Sequence, residues 1–384
     1  MNDWVSQRAA RIRPSATLAV NRKAQEMRRA GLDVINLSVG EPDHDTPELI
    51  KDAAREALAD GFTKYTEEAG MRELRQAICE KFRRENGIPC EPDSIVVSNG
   101  AKHSLSNLFL AILNPGDEVI VPAPYWVSYP AMIEVAGGVP VICPWTDRFE
   151  PDIDEMARLV TKRTKAILVN TPCNPTGAVF SRATMEAVAE LALTHSLLCI
   201  ADEIYEKLVY DGAQHISMAA IGKEIAERTV TVNGVAKTYA MTGWRIGYLT
   251  APPEIASACA RVQGQTTSAP SSISQKAALA ALRAGPQVYE KMVADFTARR
   301  AFLLSSLSPR IDMVTPMGAF YFFLRFGAMP SEECARRLLE EKQIAVVPGK
   351  DFGADAYVRI SFAASMDTLR KAVERMNEFA GEVV

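Results

Sequence analysis

Several things are scarce in this 384-residue sequence, and each scarcity closes a route. Its seven cysteines (Cys79, Cys90, Cys143, Cys173, Cys199, Cys259 and Cys334) are scattered, odd in number and never spaced as CxxC, which supports neither a disulfide framework nor a thiolate zinc site. The four histidines, His44, His103, His195 and His215, are equally dispersed, and no metal centre is expected. No stretch gives eighteen uncharged apolar residues, and the first twenty residues hold no apolar core ahead of a small-residue cleavage site. The expectation is a cytoplasmic protein without a membrane segment. Charge of one sign is also lacking: 43 basic and 47 acidic residues, interspersed, give a net charge of -4 and no electrostatic footprint for nucleic acid. No GxGxxG follows a candidate strand and no Walker loop occurs, which argues against a nucleotide-binding dehydrogenase.

Among what is present, 48% hydrophobic and 23% charged residues match an ordinary globular protein, and the length suits roughly two to three domains. From about residue 50 to residue 300, short apolar runs alternate with amphipathic patterns. "SIVVSNGAK" leads into "HSLSNLFLAIL"; then come "DEVIVPAP", "VPVICP", "DIDEMARLVTK", "KAILVNTP", "TMEAVAELALTHS", "LLCIADEIY", "TVTVNG" and "RIGYLTAP". Apolar runs between helical patterns read as strands covered on both faces, so the expected fold class is α/β, with a mostly parallel central sheet and helices on both faces. Beyond residue 285 the strict alternation is lost through "GAFYFFLRF", "SEECARRLLEEK", "YVRISFA" and "TLRKAVERMNEFAGE", which suggests a smaller α+β domain. The N-terminal segment, with its helix-like "VNRKAQEMRRAG", has too few strands to stand alone and is assigned to that domain. The expected division is a large domain at 45–288 and a discontinuous small domain at 1–44 and 289–384.

In an open α/β sheet a ligand lies outside the carboxyl ends of the strands. Four places supply polar residues there: Gly100, Ala101 and Lys102 after "SIVVSN", Asn174 after "AILVNTP", Asp202 and Tyr205 after "LLCIA", and Lys237 after "TVTVNG". The backbone of "NGAKHSLSN" either holds a phosphate at a helix N-terminus or simply turns from strand to helix. Asp202, at the inner edge of a buried sheet, needs compensation, either from a structural ion pair or from a cationic ligand. Lys237 either snorkels to water or, desolvated, loses basicity and becomes a nucleophile toward an aldehyde. Arg245, eight residues on, adds a planar fork suited to phosphate. A ligand carrying a phosphate, an aldehyde and a ring cation meets all three demands, and pyridoxal 5'-phosphate is such a ligand.

With those residues in view, the chain resembles, over nearly its whole length, the fold-type I, class I aminotransferases, and is similar to their bacterial branch of aspartate and prephenate aminotransferases. Eight ordered blocks carry the resemblance: "PSATLAVNRKAQEMRRAGLDVINLSVGEPDHDTP", "KYTEEAGMRELRQAI", "PAPYWVSYP", "NTPCNPTGAVF", "ADEIYEKLVY", "NGVAKTYAMTGWRIGY", "GAFYFF" and "VRISFA". The resemblance implies that Lys237 forms the Schiff base and moves the proton, and that Asp202 pairs with the ring nitrogen. It also implies that Asn174 and Tyr205 hydrogen-bond the phenolic oxygen. Trp126 would stack on the ring, or else fill an interface or the core. Arg245 and the backbone at Gly100 and Ala101 would hold the phosphate, joined by Tyr65 of the partner subunit in a homodimer that has "QTTSAPSS" at its boundary. Arg359 would take the substrate α-carboxylate, assisted by the backbone near Gly40. Two departures stand out: Ala236 replaces a serine found before the lysine in many relatives, and the family's "GEPDFDTP" reads "GEPDHDTP", leaving His44 either facing solvent or altering the site entrance.

The implied substrates are small amino and keto acids in ping-pong order. The expected reaction is aspartate plus 2-oxoglutarate giving oxaloacetate and glutamate, with a glutamate- or aspartate-prephenate activity as the alternative, alone or in addition. Lys102 would bind a distal carboxylate, or else steer the phosphate or face solvent. Arg13 would meet the ring-borne carboxylate of prephenate, or else belong with Arg8 and Arg11 to a solvated basic segment. Gly40, Lys102, Trp126, Asn174, Arg359 and Arg13 thus form the expected substrate set. Elimination enzymes share this cofactor kit, and the blocks around Lys102 and Tyr125 argue against them.

Overall fold

The structure is a computed structural model that describes residues 4–6, 9, 10, 12, 14 and 16–384. After a short strand β1 (Ile35–Asn36), the chain lays down β2 (Ile95–Ser98), β3 (Glu118–Pro122), β4 (Val139–Cys143), β5 (Thr164–Asn170), β6 (Leu198–Asp202), β7 (Thr229–Gly234) and β8 (Gly247–Thr250). The last seven form one sheet in the order β2-β8-β7-β6-β5-β3-β4. Its strands run parallel except β8, which pairs antiparallel with both β2 and β7.

Burial on both faces explains the continuous apolar runs. In β5, Ala166 and Leu168 join Val119, Val121, Ile200 and Val232 in one core, while Ile167 and Val169 join Ile120, Cys199 and Ala201 in another. The helices Ala101–Ile112 and Pro253–Thr266 supply Leu105, Leu108, Phe109 and Cys259 to the first core. The helix Arg182–Thr194, capped by Ser181 accepting from the Thr184 amide, supplies Met185, Val188 and Ala192 to the second. Each large side chain so buried contributes about 1.5–3 kcal/mol.

The remaining strands, β9 (Asp312–Met313), β10 (Tyr321–Arg325), β12 (Val347–Pro348) and β13 (Val358–Ser361), form an antiparallel sheet in the order β12-β13-β10-β9. The strand β11 (Ile344–Ala345) pairs in parallel with β1. Phe296 from the helix Gln287–Ser306 and Leu369 and Phe379 from the helix Met366–Val383 pack there with Phe320, Tyr321 and Phe322. The N-terminal helix Ala16–Arg29 places Ala24 against Val34 and Ala345, so the strand-poor start of the chain packs with its end.

One helix is shorter than its sequence pattern suggests. "DIDEMARLVTK" folds as a helix only over Ile153–Arg158, begun by Asp152 accepting from the Glu155 amide. The following turn is taken over by threonines: the Thr161 amide donates to the Thr164 hydroxyl at 2.8 Å, and the Thr161 hydroxyl donates to Glu118 at 2.5 Å. Side-chain bonds of this kind compete with helix continuation. Among the described residues, no helix is long and apolar enough to cross a membrane.

Candidate active site

β5, β6 and β7 end side by side at Asn170, Asp202 and Gly234. Beyond these carboxyl ends opens a cleft of about 520 Å³. Gly40, Ala101, Lys102, Trp126 and Asn174 line it, as do Asp202, Tyr205, Lys237, Arg245 and Arg359. Nearly all residues that the sequence nominates therefore converge, although they come from widely separated segments.

The Lys237 ammonium donates to the Gly40 carbonyl at 2.5 Å and sits 5.6 Å from the ring centroids of both Tyr205 and Phe320. Burial lowers its pKa to about 8, against the opposing pull of Glu41. An amine held this way is about half free base at pH 8, where an ordinary lysine is almost wholly protonated.

Asp202 Oδ2 accepts from the Tyr129 hydroxyl at 2.7 Å, and Oδ1 accepts from the Ile204 amide at 3.3 Å. Burial raises its pKa to about 6, and the Tyr129 bond works in the opposite direction. Both partners are neutral groups. Its negative charge is thus solvated by the protein without being cancelled.

Tyr205 and Tyr321 share a hydroxyl–hydroxyl bond of 2.8 Å. Arg359 is buried to 2% exposure; it donates to Asn174 Oδ1 at 3.0 Å and to the Ser38 carbonyl at 2.6 Å. Its guanidinium lies 4.5 Å from the Tyr321 ring and 5.2 Å from the Phe352 ring, and its buried Nε has no hydrogen-bond partner. Asn174 is itself held by its amide donating to Asn170 Oδ1 at 3.0 Å, while Asn170 Nδ2 donates to the Asp202 carbonyl at 3.0 Å.

At another wall, Gly100 precedes the helix Ala101–Ile112 with φ +88°. A Cβ there would lie 2.3 Å from Arg245 Nη2, so only glycine allows the guanidinium to lie over the helix start. Arg245 donates to the Thr242 carbonyl at 2.9 Å and the Asn99 carbonyl at 3.1 Å. A cation laid across the N–H groups of a helix terminus is a site for a phosphate. Lys102 projects from the same helix; its ammonium sits 4.9 Å from the Trp126 ring, and burial, then Arg245, lower its pKa. Trp126 in turn meets Tyr129 edge to face at 5.2 Å.

Pyridoxal 5'-phosphate fits this donor set: a phosphate for Arg245 and the Gly100 turn, an aldehyde for Lys237 and a ring cation for Asp202. The unpaired Nε of Arg359 adds a donor for a carboxylate. Tyr65 is 96% exposed and does not line the cleft of its own chain. Arg13 lies outside the described residues. Sequence reasoning missed Tyr129, Asn170 and Tyr321. Asn170 had a visible signal, closing the apolar run "AILVN", whereas the two tyrosines read as ordinary core aromatics. His44 neither lines the cleft nor points freely to solvent; its Nε2 meets Asp295 at 2.9 Å. Behind β6, Glu203, Glu206 and His215 bring their ligand atoms within 4.8 Å of one another, but Lys81 ion-pairs with Glu206.

Comparison with known proteins gives the chain a family. The family described as "Aminotransferase class I and II" matches residues 32–376. The aspartate/prephenate aminotransferase of Thermus thermophilus is 48% identical over 385 residues, covering 98% of this chain and 99% of that protein. The aspartate aminotransferase of Bacillus subtilis is 41% identical over 386 residues, covering 98% of each. Among solved structures, the Thermus thermophilus aspartate aminotransferase with maleate superposes with a TM-score of 0.93 at 48% identity, covering 97% of this chain and 99% of that one. The aspartate aminotransferase from Rhizobium meliloti gives 0.95 at 40% identity, with 99% of each chain covered.

Proposed function

The chain belongs to the class I and II aminotransferases, and from that premise we propose that it transfers the amino group of aspartate to 2-oxoglutarate, yielding oxaloacetate and glutamate. It is an aminotransferase dependent on pyridoxal 5'-phosphate. One observation carries the choice of substrate. Among the described residues, four cations line the cleft, namely Lys102, Lys237, Arg245 and Arg359. With Lys237 assigned to the aldehyde and Arg245 to the phosphate, two remain, which suits a substrate with two carboxylates.

When bound, the cofactor supplies an electron sink for negative charge at the substrate α-carbon. Arg359 binds and orients the α-carboxylate bidentately. Asn174 fixes the Arg359 fork, and Lys102 takes the distal carboxylate beside Trp126. Lys237 Nζ then removes the α-proton, an amine whose lowered pKa suits a general base near neutral pH. Asp202, ionised, would pair with the ring nitrogen, and Tyr205, held by Tyr321, would offer its hydroxyl to the ring oxygen. Ala236, on the cleft wall, offers no hydroxyl to the phosphate, leaving that end to Arg245 and the helix N-terminus.

The test is a single-turnover absorbance titration of the cofactor-loaded protein with aspartate, alanine, tyrosine and prephenate, repeated for Lys102→Ala. Loss of the aspartate response alone in that variant supports the reading; an unchanged preference for aspartate over alanine refutes the role of Lys102. A second reading, transfer to prephenate, is favoured by the Thermus relative's name and by Thr17, Leu18 and Asn21 of the N-terminal helix on the cleft wall. A stronger response to prephenate than to aspartate would put that reading first and make Arg13 worth mutating. The same proposal includes a cytoplasmic homodimer, in which the exposed Tyr65 reaches the phosphate site of the neighbouring copy, and a chain divided at 45–288 against 1–44 with 289–384. Full activity from a monomer at micromolar concentration would remove the dimer.

A further inference from the structure

The segment 38–46 runs along the cleft, contributing Val39, Gly40 and Glu41 to its wall. Its carbonyls meet the two cations nearest the chemistry: Ser38 accepts from Arg359 at 2.6 Å, and Gly40 accepts from Lys237 at 2.5 Å. The Glu41 carboxylate accepts from the Thr242 hydroxyl at 2.9 Å. Farther on, the Thr46 hydroxyl donates to the Ala240 carbonyl at 2.7 Å and accepts from Trp244 Nε1 at 3.0 Å. Between these tethers the bend at 43–44 is gripped from the other side by the helix Gln287–Ser306. Arg299 donates to both oxygens of Asp43, at 2.6 and 2.9 Å. His44 Nε2 lies 2.9 Å from Asp295 Oδ2, which also accepts from Lys291 at 2.8 Å, and the imidazole stands edge-on to Phe296 with centroids 5.5 Å apart. The other ring nitrogen, Nδ1, is buried, 3.3 Å from Asp43 Oδ1, and makes no hydrogen bond.

We infer that His44 is a positioning residue: it clasps the 38–46 strap to the helix Gln287–Ser306 and so holds the Ser38 and Gly40 carbonyls against Arg359 and Lys237. This rests on the transamination reading above. The phenylalanine that the family resemblance leads one to expect here would keep the contact with Phe296 and lose the bond to Asp295. The charged groups facing His44 are Asp43 from its own segment and Asp295, Lys291 and Arg299 from the helix, two anions and two cations.

The experiment compares the holoenzyme with His44→Phe and His44→Gln, measuring KM and kcat for aspartate, amide hydrogen exchange across 38–46, and melting temperature. In His44→Phe, KM for aspartate is expected to rise roughly threefold to tenfold, the effect of one lost hydrogen bond, with kcat within about twofold. Exchange of the strap amides should quicken while the melting temperature holds. His44→Gln retains a donor for Asp295 and should recover most of the KM. Wild-type KM and strap exchange in His44→Phe would overturn the inference, and so would faster exchange throughout the molecule with a lowered melting temperature. If wild type fails to transaminate aspartate, the functional reading falls, and strap exchange in His44→Phe still decides the clasp.

Discussion

Replacing Tyr129 with phenylalanine removes a single hydroxyl from a fully buried ring, and with it the 2.7 Å bond to Asp202. A hydrogen bond to an ionised acceptor is worth about 1.5–3 kcal/mol, and one pKa unit is about 1.4 kcal/mol, so losing it moves a carboxyl up by about one to two units. Asp202 starts from about 6. At pH 7 its wild-type carboxyl is then about nine-tenths ionised, and the variant's between roughly one-half and one-tenth. A cationic ring nitrogen would find its partner protonated that much more often. Affinity for pyridoxal 5'-phosphate at pH 7 should fall roughly twofold to tenfold, and the deficit should close as pH rises beyond the shifted value. The assay is equilibrium titration of apoprotein with the cofactor from pH 6 to pH 9, followed by absorbance. Lys237 titrates in the same interval in both proteins, so the readout is the ratio of the two affinities at each pH. A ratio that stays at one across the range would refute both the strength assigned to the Tyr129 bond and the role assigned to Asp202.

Further outcomes follow from the same geometry. Lys237→Met should abolish transamination yet stabilise the apoprotein at pH 7 in thermal melts. The lysine pKa is lowered by burial, so the folded state loses its proton near 8 while the unfolded chain keeps it to about 10.5; the resulting penalty, up to about 3 kcal/mol, is present below pH 8 and disappears as pH rises toward 10.5. Asp202→Asn in the apoprotein should remove a contribution of about 3 kcal/mol that is fully present below about pH 3.8 and lost as pH rises through about 6, because here the folded pKa is the raised one. Arg359→Leu should lower kcat/KM for aspartate by about a hundredfold or more, the loss of a buried charge partner; a decrease under about fivefold would mean that another residue holds the α-carboxylate. Lys81→Met, by stranding Glu206, should cost about 3–5 kcal/mol in urea denaturation, with Lys81→Met/Glu206→Leu less damaged than the single variant.

The central sheet was legible in the sequence because burial on both faces writes itself as unbroken apolar runs such as "AILVN", and strand-end residues could be nominated because ligands gather at carboxyl ends. Strand direction was not legible: "GYLT" is as apolar as its neighbours, yet β8 runs against them. The two-residue strands β1, β9, β11 and β12 carry no period at all. Lys237 and Arg245 could be paired on sight because one short turn holds both. The contact of Tyr129 with Asp202 spans 73 residues, that of Tyr205 with Tyr321 spans 116, and that of His44 with Asp295 spans 251. No local pattern announces such partners.

The exit of β6 carries buried carboxylates of two kinds, one facing the cleft and two facing away from it. Asp202 and Tyr205 line the cleft, while Glu203 and Glu206, buried just as deeply, do not. Glu203 accepts from the Ser217 hydroxyl at 2.6 Å and lies 3.0 Å from His215 Nε2; Glu206 ion-pairs with Lys81 and accepts from Asn86 at 2.5 Å. Burial alone would push both Asp202 and Glu206 upward. For Asp202, burial outweighs the Tyr129 and Ile204 bonds and the smaller pull of Lys237, with Glu203 alongside, and the result is about 6; for Glu206, burial is outweighed by Lys81, Lys207 and His215, and the result is about 2. A carboxylate already matched by a cation of its own chain has little to offer a ligand. One kept ionised near neutrality by hydroxyl and amide donors retains an uncancelled charge, and the cleft it faces determines which cation meets it. Among the described residues Asp202 makes no ion pair, and its printed hydrogen bonds come from the Tyr129 hydroxyl and the Ile204 amide.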